Sequence, residues 1–75
     1  MPLVRISLRA GTTPAYRRAI ADGVHQAMID ALTIPAADRL QVVTEPQAEE
    51  LIFDRSYPDV KRSDRTVFVQ ITLSV

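Results

Sequence analysis

The chain opens on a strict alternation. In residues 3–9, LVRISLR, Val4, Ile6 and Leu8 fall on one face and Arg5, Ser7 and Arg9 on the other. A period of two with one apolar face predicts a half-buried strand. Ala10-Gly11-Thr12 then reads as a turn. Thr13-Pro14 is a helix start: a threonine hydroxyl can take a free N–H of the first turn, and proline at the first helical position gives up no needed donor. From there to about Leu32 the apolar residues return at helical spacing. Ile20, Val24, Ala27, Met28, Ala31 and Leu32 predict the buried stripe, with Arg17, Arg18, Asp22 and Gln26 off it. Gly23 inside the helix costs about 1 kcal/mol against alanine, which predicts close packing on a sheet. Pro35 predicts the helix stop.

Residues 39–45, RLQVVTE, predict a second strand, and 66–74, TVFVQITLS, give the clearest strand pattern of the chain. Strand, helix and strand at this spacing predict a β-α-β unit with parallel strands and a right-handed crossover. Residues 46–65 are polar and irregular around a short apolar island, Leu51-Ile52-Phe53. A stretch this long without its own element is uncommon in a compact domain and is usually functional. Within it, Tyr57 is expected to cover the sheet. The fold class is therefore α/β (α+β): a β-α-β unit with an additional C-terminal strand and the helix packed on one face of the sheet. Residues 1–75 form a single domain.

Composition sharpens this picture. At 75 residues with 47% hydrophobic content, a lone core supplies only about 3–5 kcal/mol. Small domains compensate with disulfides, metals or partner subunits. There is no Cys and one His, which excludes disulfides, thiolate sites and a His-cluster metal site. Oligomerisation remains, and uncovered sheet edges ask for it too. Nine Lys+Arg against nine Asp+Glu give zero net charge, which argues against a nucleic-acid partner. Lys61 is the one lysine among the basic residues, and arginine forks suit planar anions such as carboxylates. No apolar run reaches the ~18 residues of a membrane span, and MPLVRISLRAG lacks signal-peptide organisation. A cytoplasmic protein is the expectation.

The informative residue for chemistry is Pro2, behind the initiator Met. Removal of Met1 leaves proline with a free secondary amine. An α-amino group titrates near about 8 in model peptides, and burial or nearby cations disfavour its charged form. Such an amine can serve as general base or acid at working pH.

Met-Pro followed at once by an alternating strand, the Gly11 turn, a helix of roughly twenty residues, Pro35 and a further strand resembles the tautomerase superfamily. The resemblance runs over essentially the whole chain. It is carried by MPLVRISLRAG, the helix with VHQAM, IPAADRLQVVTE and RSDRTVFVQITLS, and is nearest to the malonate semialdehyde decarboxylase-like branch. It implies that Pro2 is the amino-terminal catalytic proline. The DRLQ stretch resembles that branch's DRYQ motif and implies Asp38 as the residue that activates water or tunes the proline. His25 stands where the branch has a helix histidine. Arg62-Ser63-Asp64 resembles an RSDD stretch of longer members.

The resemblance implies keto–enol tautomerisation of a small 2-oxo or unsaturated carboxylic acid, with decarboxylation or hydration as related chemistries and no cofactor. It also implies a homo-oligomer of trimer symmetry, hexamer first. Candidate substrate-binding residues are Arg39, Arg62 and His25.

The departures are specific. Simple members, like 4-oxalocrotonate tautomerase, hold a dicarboxylate with two arginines, and here those positions are Thr12 and Leu40. Arg39 lies one place early, and a one-residue shift turns a strand side chain to the opposite face. The decarboxylase-like branch takes its arginines from after the third strand, where this chain has Ser74-Val75. Longer members continue into a second β-α-β unit, of which only the first strand is expected here. The alternative reading is a non-catalytic or truncated assembly subunit that keeps the fold and lacks the arginines.

Overall fold

The computed structural model describes residues 2–57, 59 and 61–73. Met1, Ser74 and Val75 lie outside the described residues, and so do the readings made on them. Four elements run in the order β1 (Leu3–Leu8), α1 (Pro14–Leu32), β2 (Gln41–Thr44) and β3 (Val67–Thr72). They form one three-stranded sheet in the order β2-β1-β3. β1 pairs parallel with β2, Val4 opposite Gln41 and Ile6 opposite Val43. It pairs antiparallel with β3, Val4 opposite Ile71, Ile6 opposite Val69 and Leu8 opposite Val67. The parallel β-α-β unit, the extra strand and the single helix on one face are as the pattern predicts.

The alternation of β1 sets the core. Val4, Ile6 and Leu8 are buried and cluster with Ala21 and Met28 of the helix. Thr13 caps α1 as expected, its Oγ1 accepting the Tyr16 N–H at 3.1 Å, with Pro14 in the first turn. The helix ends at Leu32, three residues before Pro35. Thr33 adopts a left-handed conformation (φ 58°) and its N–H closes on the Ile29 carbonyl at 3.0 Å. This is the αL helix end that orphaned terminal carbonyls favour, and it makes Pro35 a follower of the stop rather than its cause.

Three expectations need correction. The buried line of α1 is Ala21, His25 and Met28, flanked by half-buried Ile20 and Val24. Ala27, Ala31 and Leu32 are exposed. The helix lies turned toward β1 and β2, so the other half of its apolar stripe looks over β3 and is left uncovered. Gly23 does not pack on the sheet: a Cβ there would meet nothing within 4 Å, because it lies on that same uncovered side. Tyr57, 74% exposed, covers nothing. It belongs to a local turn in which Asp54 Oδ1 accepts the N–H groups of Ser56 and Tyr57, both at 2.8 Å.

β2 is shorter than the 39–45 pattern suggested. Arg39 N–H bonds back to the Ala37 carbonyl at 3.0 Å, so residue 39 still belongs to a turn. The 46–65 segment forms no helix or strand among its described residues, as predicted. It is tied down by Arg62, whose N–H reaches the Arg55 carbonyl at 2.8 Å, and by Asp64, which bridges Arg9 of the sheet and Arg55 of the loop. Those two guanidiniums, Arg55 first, hold the Asp64 carboxyl below the usual carboxylate range. The sheet face away from α1 carries Val42 and Phe68, both exposed in the single chain.

Candidate active site

Pro2 is buried immediately before the central strand. The parallel pairing brings the residues before β2 to the same end of the sheet. Val4 N–H donates to the Leu40 carbonyl at 3.0 Å, so Pro2 and the 38–40 turn stand side by side at the start of two neighbouring strands. Leu3 faces Thr72 across the β1–β3 ladder, so the end of β3 reaches this corner as well.

Asp38 is half-buried in that turn. Its N–H bonds to the Pro35 carbonyl at 3.0 Å. Its carboxylate has no hydrogen-bond partner among the described residues, which leaves both oxygens available. His25 secures the turn from beneath. It is 8% exposed, and its Nε2–H donates to the Ala36 carbonyl at 2.8 Å. This bond joins the middle of α1 to the connection that carries Asp38, and it accounts for a histidine at a core position. Buried ring nitrogens need partners.

Arg39 is drawn to the helix side. Its Nη2 donates to Asp22 Oδ1 at 2.7 Å and its Nε to Gln41 Oε1 at 2.8 Å. Gln41 Nε2 in turn donates to the Ala21 carbonyl at 2.9 Å. Arg39 above all, then Arg18, holds the Asp22 carboxyl below its ordinary range. In the single chain the Arg39 guanidinium is thus engaged in tying β2 to α1. Gln41 and Asp22, the partners in this tie, were not singled out by the sequence because their contact spans about one whole helix and has no local pattern.

Arg62 stands elsewhere. Arg9, just past the end of β1, holds Asp64 at 2.9 Å, which places the 62–64 segment at the end of β1 opposite Pro2. Six residues of strand separate the ends, about 20 Å. The Arg62 guanidinium donates to the carbonyls of Asp54 and Tyr57 and locks its own loop. The fold therefore gathers Pro2 and Asp38 at one corner with His25 behind them. It turns Arg39 toward the helix and leaves Arg62 at the far end. At the first turn Thr12 hydrogen-bonds Arg17 and Glu45, and Arg17 pairs with Glu45 at 2.9 Å. A guanidinium does stand at that turn, neutralised by its own partner.

This architecture, a parallel β-α-β unit flanked by an antiparallel third strand, recurs in solved structures. The FG41 malonate semialdehyde decarboxylase inhibited by 3-bromopropiolate superposes with a TM-score of 0.81 at 37% identity, over 89% of this chain and 51% of that one. A malonate semialdehyde decarboxylase described in wild-type, mutant and inactivated forms, with decarboxylase and hydratase activities, gives a TM-score of 0.83 at 31% identity, over 89% and 52%. The fold is of the tautomerase type.

The family model for tautomerase enzymes matches residues 2–61, and the chain belongs to the tautomerase family. It is 32% identical over 97% of its length to the probable tautomerase YusQ of Bacillus subtilis strain 168, of which the match covers 58%. It is 26% identical to the probable tautomerase YrdN of the same strain, over 96% of this chain and 56% of the relative. The chain thus spans little more than half the length of the curated relatives it matches.

Proposed function

We propose that the protein is an isomerase that moves a proton between the enol and keto forms of a small 2-oxo or unsaturated carboxylic acid, with Pro2 as general base and acid. The observation that carries this reading is the burial of Pro2 beside half-buried Asp38, whose carboxylate has no hydrogen-bond partner among the described residues, at one corner of the sheet. The neutral amine takes the enol O–H proton, the enolate electrons return as the C=O bond, and the ammonium delivers its proton to the α-carbon. Asp38 lies where it can orient the amine or a water molecule. With water engaged, the same corner suits hydration of an unsaturated acid or decarboxylation of a β-keto acid, the activities named for the solved relative. A spectrophotometric assay of phenylpyruvate or 2-hydroxymuconate tests the reading, and catalysis above the buffer rate is expected.

A second reading is favoured by the arginines. Developing enolate and carboxylate charge calls for a preorganised cation, yet Arg39 is committed to Asp22 and Gln41 and Arg62 is at the opposite end. Within one chain, His25 is also occupied by the Ala36 carbonyl. On this reading the protein is a non-catalytic tautomerase-fold assembly subunit. Absence of turnover from the assembled protein selects it.

Assembly is common to both readings. We infer a cytoplasmic homo-oligomer of trimer symmetry, with a hexamer expected first. Phe68 is 52% exposed and Leu73 56% exposed, on or next to a strand whose outer edge has no partner among the described residues. Burial of such surface contributes about 25 cal/mol per Å2 of apolar area, support that a core this small needs. Multi-angle light scattering is expected to give a mass of three or six chains. A stable monomer at micromolar concentration would contradict this.

A further inference from the structure

A cavity of about 390 Å3 opens at the end of β1 opposite Pro2, and none of the roles above uses it. Its floor is half-buried Val67, backed from the core by its cross-strand partner Leu8, which is fully buried. Tyr16, on the first turn of α1, forms a wall, and Arg9, Arg65 and Thr66 complete the lining.

The charge around this cavity is unbalanced. Asp64 is shared between Arg9 and Arg55, so one carboxylate serves two guanidiniums. The Arg65 guanidinium has no salt bridge or hydrogen bond among the described residues, while its backbone N–H is held by Ser63 Oγ at 3.1 Å. The backbone of Arg65 is therefore fixed at the rim while its fork remains available. An isolated surface arginine would mean little. Here a guanidinium without a partner among the described residues and an apolar floor line the same cavity, and the neighbouring Thr66 hydroxyl donates to the Ser63 carbonyl at 2.9 Å.

We propose that this cavity binds a small monocarboxylate with a short apolar or aromatic body. The carboxylate pairs with Arg65, assisted by Arg9, and the body lies on Val67 against Tyr16. Guanidinium forks match carboxylates through two parallel N–H···O bonds. The volume is at the small end of ligand pockets, which suits a small ligand. A dicarboxylate fits worse than a monocarboxylate, because its second charge would be placed over the apolar Val67 floor without a partner, at a desolvation cost. The proposal is independent of any reaction at Pro2.

Nitrogen-15 NMR titration of the full chain with phenylacetate, and with succinate as the dicarboxylate, tests it. Saturable shifts of the Leu8, Tyr16 and Val67 amides are expected with phenylacetate, with weaker binding of succinate. Pro2→Ala is expected to leave these shifts unchanged. Arg65→Gln is expected to weaken phenylacetate roughly tenfold, the scale of one charge-assisted hydrogen-bonded contact. Arg65 is exposed, and spectral dispersion reports whether each variant is folded. Tyr16→Ala serves as a second variant and should also weaken binding. Three results would overturn the proposal: shifts confined to Leu3 and Asp38 at the Pro2 corner, no saturable shift at all, or equal affinities for wild type and Arg65→Gln.

Discussion

Pro2→Ala is expected to lower kcat/KM for enol–keto conversion of phenylpyruvate by roughly 100-fold, the lower part of the range for a positioned general acid–base group. The effect comes from the nitrogen's setting. Alanine also begins the chain with an amine, but a primary one, free to rotate and without the ring that packs Pro2 into its buried position. The amine would remain near the reacting carbon without being held toward it, and misplacement of a reacting group by about 1 Å can cost on the order of 100-fold. Because Pro2 precedes β1 and contributes no ladder hydrogen bond among the described residues, the fold should persist, with an unchanged far-ultraviolet dichroism spectrum. Equal kcat/KM for the two proteins would remove Pro2 from the mechanism.

Ile6→Ala should do the reverse, leaving the chemistry in place and removing the fold beneath it. Ile6 is 1% exposed at the centre of the middle strand, flanked by Val43 on β2 and Val69 on β3. Truncating a buried isoleucine costs about 2–5 kcal/mol through lost transfer energy and the cavity left behind. A core of this size supplies about 3–5 kcal/mol, so the variant is expected to be largely unfolded at 25 °C unless assembly rescues it. Ile52→Ala is the control. Ile52 is 87% exposed, and its truncation should change stability by less than about 0.5 kcal/mol. Urea unfolding of both variants measures the contrast, and equal midpoints would contradict the placement of the core.

Much of the fold was legible because its signals are local. The alternation of Val4, Ile6 and Leu8 specifies a strand with one buried face, and Thr13-Pro14 specifies where the helix begins. Both depend on residues within a few positions of each other. The rotation of the helix was not legible. A period of 3.6 marks a broad apolar face, but which line of it is buried depends on which strands lie beneath. With the helix turned toward β1 and β2, Ala21, His25 and Met28 are covered, while Ala31 and Leu32, on the side toward β3, are not.

The corner that holds Pro2 and Asp38 follows from parallel pairing, which sets the starts of β1 and β2 side by side, and strand order in the chain suffices for that. The arginines are different. Nothing near Arg39 in sequence indicates that Asp22, a helix residue, would claim it. Nothing near Arg62 indicates that its loop would be tied by Arg9–Asp64 to the far end of the sheet. Long side chains can satisfy any of several distant partners, and only the packed structure selects among them.

The account turns on a free secondary amine at Pro2, since an amide nitrogen in a Met1–Pro2 peptide bond has no lone pair available to take a proton. The most direct measurement is mass spectrometry of the intact protein with sequencing of its N-terminal peptide. The predicted result is a chain that begins at Pro2, unblocked. A chain that retains Met1 in the purified, active preparation would contradict the account outright.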